Sequence, residues 1–325
     1  MLLLPEKFSY LGAVILPVII CSVLLALFKD KLPKDQGREF AVDGKLSAGK
    51  VRGAGIIFVC AFILVSFFLI LLPVNFVSLA NLEYYFYLIL LFLGMLSGYL
   101  DDKAETPWGE YKKGAIDLVI SALTAINFVY FNPDILSISF FGMSLDIHPI
   151  LFAVIGTGLV WMLINATNCS DGIDGFCGSL TIVSLISIMA ANSVLEIEDS
   201  RINYLIVIMI CTLLPYLWRN AQPSTMMMGD AGSRALGLFL CICVFKTGNI
   251  LLVIPLCFML CLDGLLGIVK VSLIRFLKMK NAFKNIRTPL HDHFRKNKGW
   301  SNTQVIFRFC IIQAVISAVT VIAMK

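Results

Sequence analysis

Charge is what this sequence has least of. Of its 325 residues, 14% are Asp, Glu, Lys or Arg, against about 25% in an ordinary soluble domain, which excludes a surface built mainly to face water. The 10 cysteines include no C-x-x-C pair, so neither a disulfide framework nor a cysteine metal site is indicated. Most of them (Cys21, Cys60, Cys211, Cys257, Cys261, Cys310) lie inside apolar runs and read as inert buried thiols. Cys241 and Cys243, two apart in "LCIC", fall on different faces of a helix. No sequence repeat recurs at a fixed period. The stretch "GDAGS" lacks the GK[ST] ending of a P-loop. The net charge of +5 is too small to argue for nucleic acid as a partner.

Apolar residues are what is there: 59% of the chain, with a mean hydropathy of +0.89. A bilayer core about 30 Å thick takes about 20 apolar residues per helical crossing. Runs that qualify lie near 8–28, 53–74, 83–100, 114–131, 148–166, 176–195, 202–218, 234–246, 249–275 and 304–323. The expected fold is therefore all-α, a single polytopic membrane domain over residues 1–325 with about ten transmembrane helices. The first run has Glu6 and Lys7 before it and no small-residue cleavage site after it, so it reads as a retained helix rather than a signal peptide. The ninth is long enough to break or to run out past the membrane surface. Cytoplasmic loops collect lysine and arginine. Placing both termini outside puts 22 of the 26 basic residues inside and leaves only Lys7, Arg201, Lys246 and Lys325 outside.

On that topology four polar clusters share the cytoplasmic face: "GYLDDKAETPWGEYKKG" (98–114), "NATNCSDGIDGFCG" (165–178), "MMMGDAGSRALG" (226–237) and "TPLHDHFRKNKGW" (288–300). Ionisable groups at membrane depth are costly and usually functional, and convergence of four loops on one face suggests one site. Asp101 and Asp102 are adjacent, so they need a cation beside them if both are ionised and buried. A divalent metal is the natural partner, and magnesium suits one or two carboxylates plus phosphate oxygens. Asp230, with Gly229 and Gly232 beside it, is the first candidate for a metal ligand. Asn168, Asp171 and Asp174 are spaced three apart and would share a face on a helical turn. His291 and His293 flank Asp292, and with Lys296 and Lys298 they are placed to hold phosphate oxygens. Asp263, in the ninth run, reads equally as glue between helices or as a supporting catalytic group. Bland readings stand beside these: Asp and Asn next to Gly are common turn chemistry, and the basic residues of 270–298 also serve topology and anionic lipid.

Taken in order, "GYLDD", "NATNCSDGIDG", "MGDAGSRALG" and "TPLHDHFRKNKGW" followed by "VIFRFCII" resemble the motifs of the polyprenyl-phosphate N-acetylhexosamine-1-phosphate transferase superfamily. The resemblance covers about residues 98–312 and the ten-helix layout. Its last stretch is closer to the muramoyl-pentapeptide branch than to the N-acetylglucosamine branch. The resemblance implies a bacterial inner-membrane enzyme with its site on the cytoplasmic face. It would transfer phospho-MurNAc-pentapeptide from a UDP carrier to undecaprenyl phosphate with Mg²⁺, giving lipid I and UMP, and would pair as a homodimer. It also implies roles: Asp101 and Asp102 handle the lipid phosphate, Asp230 binds magnesium, Asp171 and Gly172 lie by the uracil, and Asp174 lies nearer the catalytic centre. Asn168 belongs to the same group, His291 and His293 to a histidine motif, and Lys112 or Lys113 to a lysine after the aspartate pair. The chain departs from the pattern at Asp292, Arg295, "VRGAG" (51–55) and Met227, where the family often has an aromatic on the uracil. Lys45 and Lys50 receive no assignment. The alternatives are a UDP-N-acetylhexosamine donor, an ion-coupled transporter and a non-catalytic lipid-binding scaffold.

Overall fold

Lipid offers no partner for backbone N–H and C=O groups, so apolar runs in a bilayer close their own hydrogen bonds as helices. The computed structural model describes residues 6–35, 37, 47–71, 79–104, 106, 108–140, 143–279 and 283–324. Helices α1 (Glu6–Phe28), α2 (Gly55–Ser66), α3 (Leu79–Lys103) and α4 (Glu110–Phe131) come first, with a π-helical turn, Phe67–Leu71, ending α2. A small antiparallel hairpin follows, β1 (Ser137–Phe140) and β2 (Met143–Asp146), with Ser137 opposite Asp146. Then come α5 (Pro149–Ser170), α6 (Phe176–Val194), α7 (Ser200–Asn220), α8 (Gly229–Phe245), α9 (Val253–Leu256), α10 (Phe258–Arg275), α11 (Leu290–Lys298) and α12 (Asn302–Ile322).

Local chemistry sets several of these starts. Pro149 opens α5, where its missing N–H costs nothing, and the His148 side chain accepts from the Ile150 N–H. Asp199 caps α7 by accepting from the Arg201 N–H. Ser301 and Gln304 close a reciprocal capping box on α12.

Among the described residues seven helices are long and apolar enough to cross a membrane, or eight if a bent pair counts as one span. The chain is a multi-pass membrane protein. Large apolar side chains such as Leu27, Ile126, Val154, Val315 and Ile322 stay exposed, while Asp101, Asp117, Asp263 and Arg234 are buried, the reverse of a soluble surface. The bent pair is the ninth expected run: Ile250–Leu256 and Phe258–Arg275 meet at 92°, with Cys257 leaving helical geometry at the corner (φ −123°, ψ 26°). The eighth run begins earlier than its apolar stretch, at Gly229. Residues 72–74 of the second run lie outside the described residues.

The core is built around α8, in which every residue from Gly229 to Phe245 except Asp230 is buried. It packs on α3, α5 and α2. Gly98 is what lets α3 come so close: a Cβ there would stand 2.3 Å from the Asp230 carbonyl oxygen. The Asp101 and Asp102 end of α3 is thereby laid beside the first turn of α8.

Gly98→Ala must push these two helices apart, at an expected cost of about 1–3 kcal/mol. Thermal unfolding of the detergent-solubilised protein should show a clear drop in midpoint, and an unchanged midpoint would contradict this packing.

Candidate active site

Three carboxylates meet where α3 crosses the start of α8. Asp102 Oδ2 accepts from the Ala231 N–H at 3.3 Å, so the aspartate sits over the N-terminal turn of α8, where unpaired N–H groups favour negative charge. Gly229 makes room for it. Its φ of +66° is left-handed, and a Cβ there would lie 2.2 Å from Asp102 Oδ2. Asp101 Oδ1 accepts from the Trp108 N–H at 2.8 Å, and its other oxygen pairs with Lys113. Asp230 Oδ2 lies 3.1 Å from Arg234 Nη2 and 3.5 Å from Lys113 Nζ.

Beside the aspartate pair stand the chain's own cations, and two of these, Arg52 and Arg234, were not singled out from sequence. The segment before α2 docks on the segment before α8: the Met227 N–H donates to the Val51 carbonyl at 2.8 Å, and the Ala54 N–H donates to the Met227 carbonyl at 3.0 Å. This carries Arg52 into the cluster, 2.8 Å from Asp102 Oδ1, 3.6 Å from Asp35 and 3.8 Å from Asp230. Burial alone would lower the Arg52 pKa, but Asp102, Asp230, Asp35 and Asp171 around it hold it above its ordinary value. Lys50 arrives with the same segment, 3.1 Å from Asp174 Oδ2 and 2.9 Å from Ser224 Oγ. Lys45 lies outside the described residues. The only sequence signal for Arg52 was its place in "VRGAG", the stretch that departs from the family pattern.

The strip 165–178 does not form one helical face. Helix α5 stops at Ser170, Asp171 caps it with φ −80° and ψ 39°, and Gly175 at φ +81° turns the chain into α6. Two glycines and the turn-forming aspartates win over the three-residue spacing. The three polar residues consequently go different ways. Asn168 donates to Ser233 Oγ at 3.1 Å on α8, while Asp174 faces Lys50. Burial of its carboxyl, reinforced by Asp102 and Asp230, raises the Asp171 pKa well above the usual carboxylate value. Asn220, another residue sequence reading passed over, braces the turn by accepting from the Gly175 N–H at 2.7 Å and donating to the Met226 carbonyl at 2.8 Å.

The histidine pair divides as well. His291 is buried, with its N–H 2.7 Å from Asp263 Oδ1 and its Nδ1 2.8 Å from Asp263 Oδ2, an oxygen that also accepts from Ser170 Oγ at 2.9 Å. Its Nε2 faces Gly172, where a Cβ would lie 2.5 Å away. Asp263 therefore orients a histidine over the strip. His293 engages the Arg287 N–H and the Phe294 ring instead. Lys112 is exposed and lies over the Trp108 ring at 3.6 Å, whereas Lys113 reaches Asp101 and Asp230. The structure thus brings together Asp101, Asp102, Asp230 and Lys113, with Asn168, Asp171, Gly172, Asp174 and His291 around them, and Met227 supplies backbone contacts.

Among the described residues no three His, Cys, Asp or Glu side chains form a metal cage. Magnesium needs none, since one or two carboxylates with phosphate oxygens and water suffice. Asp230 and Asp102 fit that donor set. Asp102 Oδ1 is buried without an aligned hydrogen bond, although Arg52 is near. Four carboxylates (Asp101, Asp102, Asp117, Asp230) also share three basic groups (Arg52, Lys113, Arg234), which leaves negative charge in excess.

The sequence profile of glycosyl transferase family 4 matches residues 84–248. A phospho-N-acetylmuramoyl-pentapeptide-transferase of Treponema pallidum is 38% identical over 304 residues, covering 88% of this chain and 81% of that protein. The chain belongs to glycosyl transferase family 4. Proteins of the same description from Desulfotalea psychrophila, 33% identical over 73% of this chain and 71% of its own length, and Borrelia hermsii, 29% identical over 98% and 93%, are also similar. As a family 4 glycosyl transferase it is an enzyme that transfers a phospho-sugar. The part matched by the family profile carries Asp101, Asp102, Lys113, Asp171 and Asp230, while Lys50, Arg52 and His291 reach the site from outside it.

The two neighbouring lysines separate experimentally. Lys113→Ala should lower transferase turnover by about 100-fold or more, as removal of a charged group at such a site does. Lys112→Ala should stay within about threefold of the native rate, because its charge is exposed beside an aromatic ring. Equal losses in both variants would contradict the assignment.

Proposed function

We propose that this family 4 glycosyl transferase moves phospho-MurNAc-pentapeptide from its UDP carrier to undecaprenyl phosphate, releasing UMP and forming lipid I. The observation that carries the reading is the exposure pattern of the cluster. The side chains of Lys113 and Arg52 are 25% and 18% exposed, against 2% and 0% for their partners Asp101 and Asp102. Phosphates entering from the aqueous side therefore meet cations whose positions are set by carboxylates behind them. Phosphoryl transfer asks a protein mainly for positioning and charge neutralisation, and this layering supplies both. It supports an orienting role for Asp101 and Asp102: Asp101 holds Lys113, and Asp102 holds Arg52. The lipid phosphate attacks in line in a single displacement.

Asp230 and Asp102 would hold Mg²⁺, which when bound offsets the negative charge of the donor diphosphate. Asp171, Gly172 and Asn168 line the uridine end in this reading, with Asp174 paired to Lys50 and the Asp263-oriented His291 facing the strip from α11. The polyprenyl chain stays in lipid and reaches the site sideways along the exposed apolar faces of the bundle. The segregation of 22 of 26 basic residues supports a cytoplasmic-face site in the inner membrane, with both termini outside. Ten crossings follow if α2, α8 and the bent α9–α10 pair each count as one. A homodimer belongs to the same reading, supported by the family resemblance.

The test incubates purified protein with undecaprenyl phosphate, Mg²⁺ and either UDP-MurNAc-pentapeptide or UDP-N-acetylglucosamine, and measures UMP. Release from the pentapeptide donor alone is expected. Asp230→Asn should lower it by about 100-fold or more while leaving the gel-filtration profile unchanged. UMP only from the simpler sugar would overturn the donor assignment, and UMP from neither would overturn the reaction.

A further inference from the structure

Arg234 lies one turn beyond Asp230, and its side chain is 3% exposed. Its guanidinium bridges two helices: Nη2 is 3.1 Å from Asp230 Oδ2 on α8, and Nη1 is 3.0 Å from Asp117 Oδ1 on α4. Asp101 Oδ2 stands 3.9 Å from Nη2. A guanidinium does not lose its proton in a protein, so this is a permanent charge against the carboxylate best placed to take a metal.

Two other cations touch Asp230 more loosely, Lys113 at 3.5 Å and Arg52 at 3.8 Å. Those two are partly exposed and have their closer carboxylates in Asp101 and Asp102, so an incoming phosphate can draw them from Asp230. Arg234 stays in place, since Asp117 pins its other nitrogen and the surrounding helices enclose it. A free divalent cation approaching Asp230 therefore meets fixed positive charge that stays in place. A cation arriving with a nucleotide diphosphate brings its own compensating charge and draws Lys113 and Arg52 off the carboxylate.

The geometry points to Arg234 as a positioning residue that keeps the affinity of Asp230 for a free divalent cation low, so that metal and nucleotide diphosphate bind together. This rests on the phosphoryl-transfer reading above. It adds a binding order and a residue that sets it.

The test uses full-length protein without lipid substrate. Mn²⁺ is titrated in the presence and absence of UDP, and protein-bound Mn²⁺ is obtained by electron paramagnetic resonance as the difference from a protein-free titration at the same UDP concentration. Native protein should bind Mn²⁺ on the order of tenfold more tightly with UDP present than without. The double variant Asp117→Leu/Arg234→Met removes both buried charges together, so neither is left unpaired. It should bind Mn²⁺ about fivefold more tightly than native protein without UDP, with a smaller response to UDP. Arg234→Lys loses the fork that bridges both carboxylates but keeps the charge, and should stay within about twofold of native because the charge is what sets the affinity. Asp230→Asn should abolish the site in either background. A purely structural role for Arg234 predicts weaker binding or none in the double variant, and that result would overturn the proposal. So would equal native affinity with and without UDP, or Mn²⁺ binding that survives Asp230→Asn. Failure of the phosphoryl-transfer reading shows separately, as absent UMP release, which the Mn²⁺ titration does not measure.

Discussion

Carboxylates packed together inside an apolar bundle repel one another and lose their water, so they persist only with cations in contact. That constraint organises this molecule. Gly98 brings α3 against α8 closely enough for Asp101 and Asp102 to share a space with Asp230. Arg52, Lys113 and Arg234 then have to arrive from the segment before α2, from α4 and from α8 itself. Each cation ties another element to the pair. The 51–55 segment is further held by backbone hydrogen bonds beside Met227, and α5 is joined to α8 through Asn168 and Ser233.

The same two helices carry a second group of charges at their other ends. There Lys246 pairs with Glu83 at 3.0 Å and lies 3.6 Å from Asp199, which also holds Arg201 at 2.8 Å. Glu83 further accepts from Tyr87 and Asn132. A cavity of about 630 Å³ opens beside this group. The two ends differ in kind. At the Glu83 end Lys246 is spent on the buried Glu83, which ties the start of α3 to the end of α8. At the Asp230 end Lys113 and Arg52 are more exposed than Asp101 and Asp102 behind them, while Arg234 is enclosed with Asp117. Charges at both helix ends, with an apolar stretch between, also differ from the midplane sites of transporters built on broken helices.

The loops are shaped by the demands of the site as much as by connection. Ending α5 at Ser170 lets Asp171 and Asp174 face different partners within one short turn, and Asn220 holds that turn against the start of α8. The bend between α9 and α10 redirects the chain so that Asp263 meets Ser170 and His291.

The sequence by itself determined the membrane character, the positions of the helical runs and the four polar loops, and it left the ninth run to break or to run out past the membrane surface. These follow from hydropathy summed over about 20 residues and from local turn chemistry, both of which are properties of contiguous chain. It also named Asp101, Asp102 and Asp230 as residues that belong together, through motifs carried in a fixed order. Only the tertiary structure decided that Lys113 rather than Lys112 enters the cluster, that Arg52 and Arg234 are its other cations, and that His291 and His293 part company. It also decided that Arg201 and Lys246, exceptions to the charge bias along the chain, are held in ion pairs with Asp199 at the start of α7 and with Glu83 near the start of α3. The physical reason is one of range: partners such as Arg52, Asp102 and Asp230 are separated by tens to more than a hundred residues. Which of two adjacent lysines points inward depends on helix packing that spacing along the chain does not encode.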